Sequence, residues 1–185
     1  LSRFFHAPDH KALYPSITQS EQPPKTPDII NVNLNIWDTA GSERFAVLAR
    51  KYYIGAEACI ACYDLTDEES WKKLDAWVQQ VQESCPTVLI VIVGCKKDLI
   101  VPLPREIARR EGVSNHVPQQ ERAVSVENIR NYALGVGAVV FETSSKFDTS
   151  LPSCDYSFEV FNFIANECMY RREQERLNGQ KQKQT

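Results

Sequence analysis

The sequence predicts an α/β domain built on a doubly wound, mostly parallel sheet. Short apolar runs alternate along the chain with segments whose apolar residues recur at helical spacing. Three of the runs are apolar at nearly every position rather than at every second one, as strands covered on both faces require. Alternation of strand and helix then favours parallel strands joined by crossover helices.

Taken in order, "IINVNLNIW" (29–37) sets Val32, Leu34 and Ile36 against Asn31, Asn33 and Asn35, which predicts a strand with one wet face. "ACIACYDL" (58–65), "VLIVIVGC" (88–95) and "GAVVFETS" (137–144) are the continuous runs. Within 68–83, Trp71, Leu74, Val78 and Val81 form a helical stripe, with Thr66 and Glu69 placed for a capping box. Ser125 is placed to cap a helix carrying Ile129 and Ala133. The last helix, from about Asp155, aligns Phe158, Phe161, Ala165 and Cys168; beyond Arg171 the sequence is polar and is expected to fray.

Composition excludes several function classes. A chain of 185 residues, 43% hydrophobic, is expected to bury one core. A net charge of −3 argues against a nucleic-acid binder dominated by phosphate contacts. No apolar run approaches a membrane span and no leader pattern opens the chain. The six cysteines, at 59, 62, 85, 95, 154 and 168, are scattered. Cys59 and Cys62 form a C-x-x-C, but on a strand they point to opposite faces, so core thiols are expected rather than metal or redox chemistry. With only His6, His10 and His116 available, no zinc site emerges, and a reducing, cytosolic compartment is expected.

In a doubly wound sheet ligands sit beyond the carboxyl ends of the strands, so loops at strand ends are the ones to test. The first is "DTAGSE" after Trp37: Asp38 can hold a magnesium ion through water, and the backbone N–H of Gly41 can approach a terminal phosphate closely. The second is "GCKKDL" (94–99), where Asp98 can accept two hydrogen bonds from the N1 and N2 edge of guanine and Lys96 can lay its stem along the base. The third is "ETSSK" (142–146), where Ser144 can orient Asp98, the N–H of Ser145 can reach the guanine O6, and Lys146 completes the motif.

Each loop is modest alone; their order is the stronger signal. "NIWDTAGSERF", "KYYIGA", "CYDLTDEESW", "GCKKDL" and "ETSSK" together resemble the Ras superfamily of small GTPases, specifically its Rab branch. The resemblance runs from residue 29 to about 170. It implies a P-loop GTPase fold over residues 1–170, followed by a polar tail, 171–185. It also implies binding of GTP or GDP with Mg2+, slow hydrolysis, and effector, exchange and GTPase-activating partners. A monomer in the cytoplasm or on endomembranes is expected. The phosphate cradle G-x-x-x-x-G-K-[S/T] occurs nowhere in the chain, which opens at Leu1 in a helix-like "LSRFF". The expectation is a sheet lacking its first, central strand, which in this fold lies between the strands matching 29–37 and 58–65.

Four departures from the family pattern bear on activity. Ser42 stands where a glutamine usually positions the attacking water, in switches whose unaided turnover is only about 10⁻⁴ per second. Cys95 replaces the usual asparagine, at a cost of about 0.5–1.5 kcal/mol for one neutral hydrogen bond. Ser16 in "YPSITQS" lies opposite the threonine that caps magnesium, and "EQPPKTPD", with three prolines, replaces an edge strand. Trp37 and Tyr52 match two members of an aromatic triad read by partners, though packing beneath the switch explains them equally well, and Glu21 falls near the third. Residues 101–119 read as an inserted surface loop, and the tail carries no prenylation cysteine. Two alternatives stay open: a non-cycling GTPase-like interaction module, and a non-functional gene fragment. The chain as it stands is expected to be inactive by itself.

Overall fold

The structure is a computed structural model that describes residues 31–39, 53–102, 120–145 and 156–182, with Arg109, Gly112 and Pro118. Among the described residues the elements are β1 (Ala58–Asp64), α1 (Glu68–Ser84), β2 (Leu89–Cys95), a 3₁₀ turn (Lys97–Leu99), α2 (Val126–Val136), β3 (Val139–Glu142) and α3 (Tyr156–Gln182). The strands form one parallel sheet in the order β1-β2-β3, with Cys62 opposite Val93, Asp64 opposite Cys95 and Gly94 opposite Glu142. A three-stranded parallel sheet flanked by helices is the part of the expected fold that is seen.

Period-two alternation sends the two sets of strand side chains to two cores. On one face Ala61, Tyr63, Leu65, Ile90 and Ile92 pack with Leu74, Val78 and Val81 of α1 and Ile129 and Ala133 of α2. On the other, Leu89, Val91 and Val93 meet Val160 and Ile164 of α3. Every residue from Val88 to Val93 is buried, because β2 has a strand on each side and helices on both faces.

Helix ends follow side-chain chemistry, with one correction. Ser125 caps α2 by accepting from the Asn128 N–H at 3.2 Å, and Gly137 closes it at φ 68°, a conformation that needs no side chain. The expected cap on α1 does not form at Thr66. Its hydroxyl donates to Asp64 at 2.7 Å, and Asp67 takes the cap position, accepting from the Glu69 N–H at 2.9 Å.

Three further expectations need correction. Residues 31–37 hold no strand, and Ile36 and Trp37 are 66% and 71% exposed. Alternating apolar residues describe a face, and by themselves they supply no partner for a strand's backbone groups. The core stripe of α3 is rotated from the expected one: Val160, Ile164 and Glu167 are buried, while Phe161, Ala165 and Cys168 are half-buried. Phe163 packs on Phe141 with ring centroids 5.5 Å apart, and the Phe158 side chain lies outside the described residues.

The tail, finally, does not fray at Arg171 but stays helical to Gln182. Its residues are strong helix formers, Arg176 pairs with Glu173 at 2.6 Å, and Arg171 and Arg172 tie the helix to the Thr87 carbonyl and to Glu57.

Candidate functional site

The carboxyl ends of β2 and β3 bring two of the three predicted loops together. The Thr143 N–H donates to the Gly94 carbonyl at 2.8 Å, and the Lys97 N–H donates to the Thr143 carbonyl at 3.0 Å. This stitching extends the parallel ladder beyond both strands, so the loops are held by backbone and not by chance contact. Asp98, on the 3₁₀ turn, is only 7% exposed, and the Ser144 hydroxyl donates to its Oδ1 at 2.5 Å. A buried carboxylate fixed in this way is an acceptor aimed by its surroundings, suited to paired N–H donors.

The chain turns into this loop through Lys96, which adopts the left-handed conformation (φ 61°, ψ 36°). Left-handed backbone is costly for a residue with a side chain, and a salt bridge holds it. Lys96 Nζ lies 2.6 Å from Asp64 Oδ2, at the end of the neighbouring strand. Asp64 Oδ1 accepts from both the N–H and the hydroxyl of Thr66, at 2.9 and 2.7 Å. The Leu65 N–H closes the junction by donating to the Cys95 carbonyl at 3.1 Å. Partial burial works to raise the Asp64 carboxyl, but the bonds from Lys96 and Thr66 outweigh it and hold it below its usual range; the same pair raises Lys96. Sequence reading missed Asp64. Its signal was an aspartate at the carboxyl end of β1, in register with Cys95.

Cys95 faces inward at the root of the loop. Its thiol donates to the Val93 carbonyl at 3.9 Å. Cys62 is exposed, so the expectation that it is a core thiol does not hold, whereas Cys59 is half-buried against the opposite core. Hydrogen bonding from Cys95 lowers the Cys62 thiol; burial, Cys59 and the nearby Asp38 carboxylate oppose it. Burial pushes Cys59 up to about 11.

Beneath the loops lies a buried ion pair. Glu142, whose side chain is 1% exposed, accepts from Arg122 Nη1 at 2.7 Å, and Arg122 is 22% exposed. The Ala123 N–H next to it donates to the Leu65 carbonyl at 2.9 Å, and the Gln120 N–H to the Leu99 carbonyl at 3.1 Å. Burial raises the phenol of Tyr63, with the Glu142 charge adding to it.

The first predicted loop is only partly described. Asp38 and Trp37 are both exposed. Ser145 is described and exposed after Ser144. Ser16, Gly41, Ser42, Tyr52 and Lys146 lie outside the described residues, as does most of the 101–119 insertion. Among the described residues, no three His, Cys, Asp or Glu groups converge as a metal site would require. Asp38 therefore offers one oxygen donor group there and not a complete set. Also among the described residues, no helix is long and apolar enough to cross a membrane.

Comparison with known proteins is consistent with this arrangement. A family model described as "Ras family" matches residues 3–161. Ras-related protein Rab-24 of Dictyostelium discoideum is 39% identical over 115 residues, 62% of this chain and 49% of that protein. Human Ras-related protein Rab-22A is 36% identical over 129 residues, covering 68% of this chain and 64% of the relative. Bovine Ras-related protein Rab-21 is 37% identical over 116 residues, with 62% and 44% covered. The chain thus spans about half the length of the curated relatives it matches. With a match over most of its length, the chain belongs to the Ras family.

Proposed function

We propose that this chain is the base-recognising part of a Rab-like, guanine-nucleotide-dependent switch in membrane traffic, one that hydrolyses GTP slowly. The observation that carries the reading is the buried Asp98 carboxylate, aimed by Ser144 at the joined ends of β2 and β3. The residues present suit a guanine base. Asp98 would supply the acceptor for the N1 and N2 donors, the Ser145 N–H would reach O6, and the Lys96 stem would lie along the base. Bonds to a charged acceptor contribute about 1.5–3 kcal/mol each, so losing the asparagine at position 95 leaves guanine preferred over adenine. Magnesium, when bound, would neutralise phosphate charge; Asp38 with Ser16 would hold it. Ser42 is too short to position the attacking water, and Gly41 would meet the terminal phosphate.

Guanine over adenine is the test. Saturation-transfer NMR of the chain with millimolar guanosine and adenosine nucleotides should show contact to guanine alone. Asp98→Asn exchanges an acceptor for a donor and should move the preference to xanthine. Equal signals from guanine and adenine, or an unchanged guanine preference in the variant, would overturn the reading. The second reading is a non-cycling GTPase-like module, and the engagement of the Cys95 thiol with the Val93 carbonyl, where the family has asparagine, favours it. It predicts the same base preference without hydrolysis of bound GTP.

A further inference from the structure

Cys62 and Cys95 lie on the same face of adjacent parallel strands, two residues apart in register, since Cys62 pairs with Val93 and Asp64 with Cys95. Cys62 is exposed while Cys95 is half-buried at the root of the Lys97–Leu99 turn. The C-x-x-C partner Cys59 takes no part, because it points into the opposite core. The geometry points to Cys62 and Cys95 as a dithiol that hydrogen peroxide converts to a disulfide, a redox modification site at the base-recognition loop.

The chemistry divides the labour between the two sulfurs. Cys62 is reachable from solvent, and neighbouring Cys95 holds its thiol below the usual range, so Cys62 is the thiolate that attacks peroxide. The O–O bond breaks, Cys62 becomes a sulfenic acid, and the leaving hydroxide takes a thiol proton to become water. The Cys95 sulfur then attacks the Cys62 sulfur, the S–O bond breaks, and a second water leaves with the remaining proton. Two thiols and one peroxide give one disulfide and two waters, the sulfurs having supplied two electrons.

Closing the bond has a structural consequence. A two-residue diagonal between neighbouring strands spans about 7–8 Å between Cα atoms, against about 4.4–6.8 Å in ordinary disulfides. The strand ends must therefore draw together, and Cys95 moves with them. Cys95 is the residue before Lys96 and the register partner of Asp64, so the Lys96–Asp64 pair bears the displacement. A bond formed under such strain is readily reduced, the property of a regulatory disulfide rather than a structural one. This chemistry does not depend on whether the chain binds guanine.

The test is peptide mapping of the full reduced chain after brief exposure to a slight excess of hydrogen peroxide. A linked pair of peptides carrying Cys62 and Cys95, two hydrogens lighter than the reduced pair and released by dithiothreitol, is expected. Before oxidation, iodoacetamide should label Cys62 roughly tenfold faster than Cys59, the order that thiolate fraction and access give. In Cys95→Ser, with circular dichroism checking the fold, oxidation should stop at a Cys62 sulfenic acid trapped by dimedone. In the reciprocal Cys62→Ser, Cys95 should resist peroxide. Oxidation of Cys62 with no link to Cys95, or a Cys62 linked mainly to another cysteine, would overturn the proposal, and the wild-type map decides this even if a variant fails to fold.

Discussion

Gly94 sits in the middle of the site's support, one residue before Cys95 and buried in β2. A methyl group added there would lie 2.6 Å from Leu65 Cδ2, 3.0 Å from Leu65 Cγ and 3.0 Å from the Tyr63 hydroxyl. Carbon atoms pack comfortably at about 3.5–4.0 Å, so Leu65 would have to retreat by about 1 Å. It cannot retreat freely, being 1% exposed and enclosed by the α1–α2 core. Gly94→Ala is therefore an overpacking substitution, expected to cost about 1–3 kcal/mol. With a urea slope of about 2 kcal/mol/M, a loss of about 2 kcal/mol moves the unfolding midpoint down by about 1 M. The cause is checked by a second background. Leu65→Ala alone should cost about 2–5 kcal/mol by leaving a cavity. In that background only the Tyr63 hydroxyl remains close to the methyl, at 3.0 Å, so Gly94→Ala should cost clearly less than it does in the native chain. Costs that add to within about 0.5 kcal/mol would refute the steric account.

Three other outcomes are expected. Arg122→Met strands the buried Glu142 carboxylate and should cost about 3–5 kcal/mol in chemical denaturation, with Glu142→Gln in the same chain recovering part of it. The Asp64 carboxyl is held below its usual range in the folded state, so its stabilising contribution is fully present above about pH 4 and is lost as pH falls through the lowered value. The gap in urea midpoint between the native chain and Asp64→Asn should accordingly shrink below that pH, and a gap unchanged at pH 2.5 would count against the Lys96–Asp64 bond. Isothermal titration of the 185-residue chain with GTP should give a Kd weaker than micromolar, because no cradle motif supplies lysine and backbone contacts to phosphate.

What could be read from the sequence depended on how local the deciding interaction was. The stripe of Leu74, Val78 and Val81, the Ser125 cap and the run through β2 each follow from residues a few positions apart, and all three appear as expected. The strand expected over 29–37 does not appear in its described part, 31–37, because alternation describes a face, while a strand exists only beside a neighbour. The tail was misjudged from its polarity, although polar residues such as Arg, Glu and Gln are strong helix formers. At the site, Asp98 and Ser144 were legible because their loops follow apolar runs. Asp64 was not, since its partner Lys96 comes from another strand end and nothing in either local sequence announces the pair. Cys62 was misplaced for a similar reason: the run "ACIACYDL" looks uniformly buried, yet exposure at its end depends on what covers the sheet there.

The parallel sheet also governs when the site can come into being. No two of its strands are joined by a tight turn; Ala58 pairs with Leu89, and Val91 with Val139, so every ladder spans a helix and its loops. Such remote pairings are slow to find, because the loop must close before any of its contacts contribute. Asp98 and Ser144 lie beyond the ends of the two strands with the more distant of these pairings, and their hydrogen bond joins residues 46 positions apart. The Asp98–Ser144 bond therefore arrives at the end of folding, and a chain emerging from synthesis acquires its aimed carboxylate only once β3 has docked.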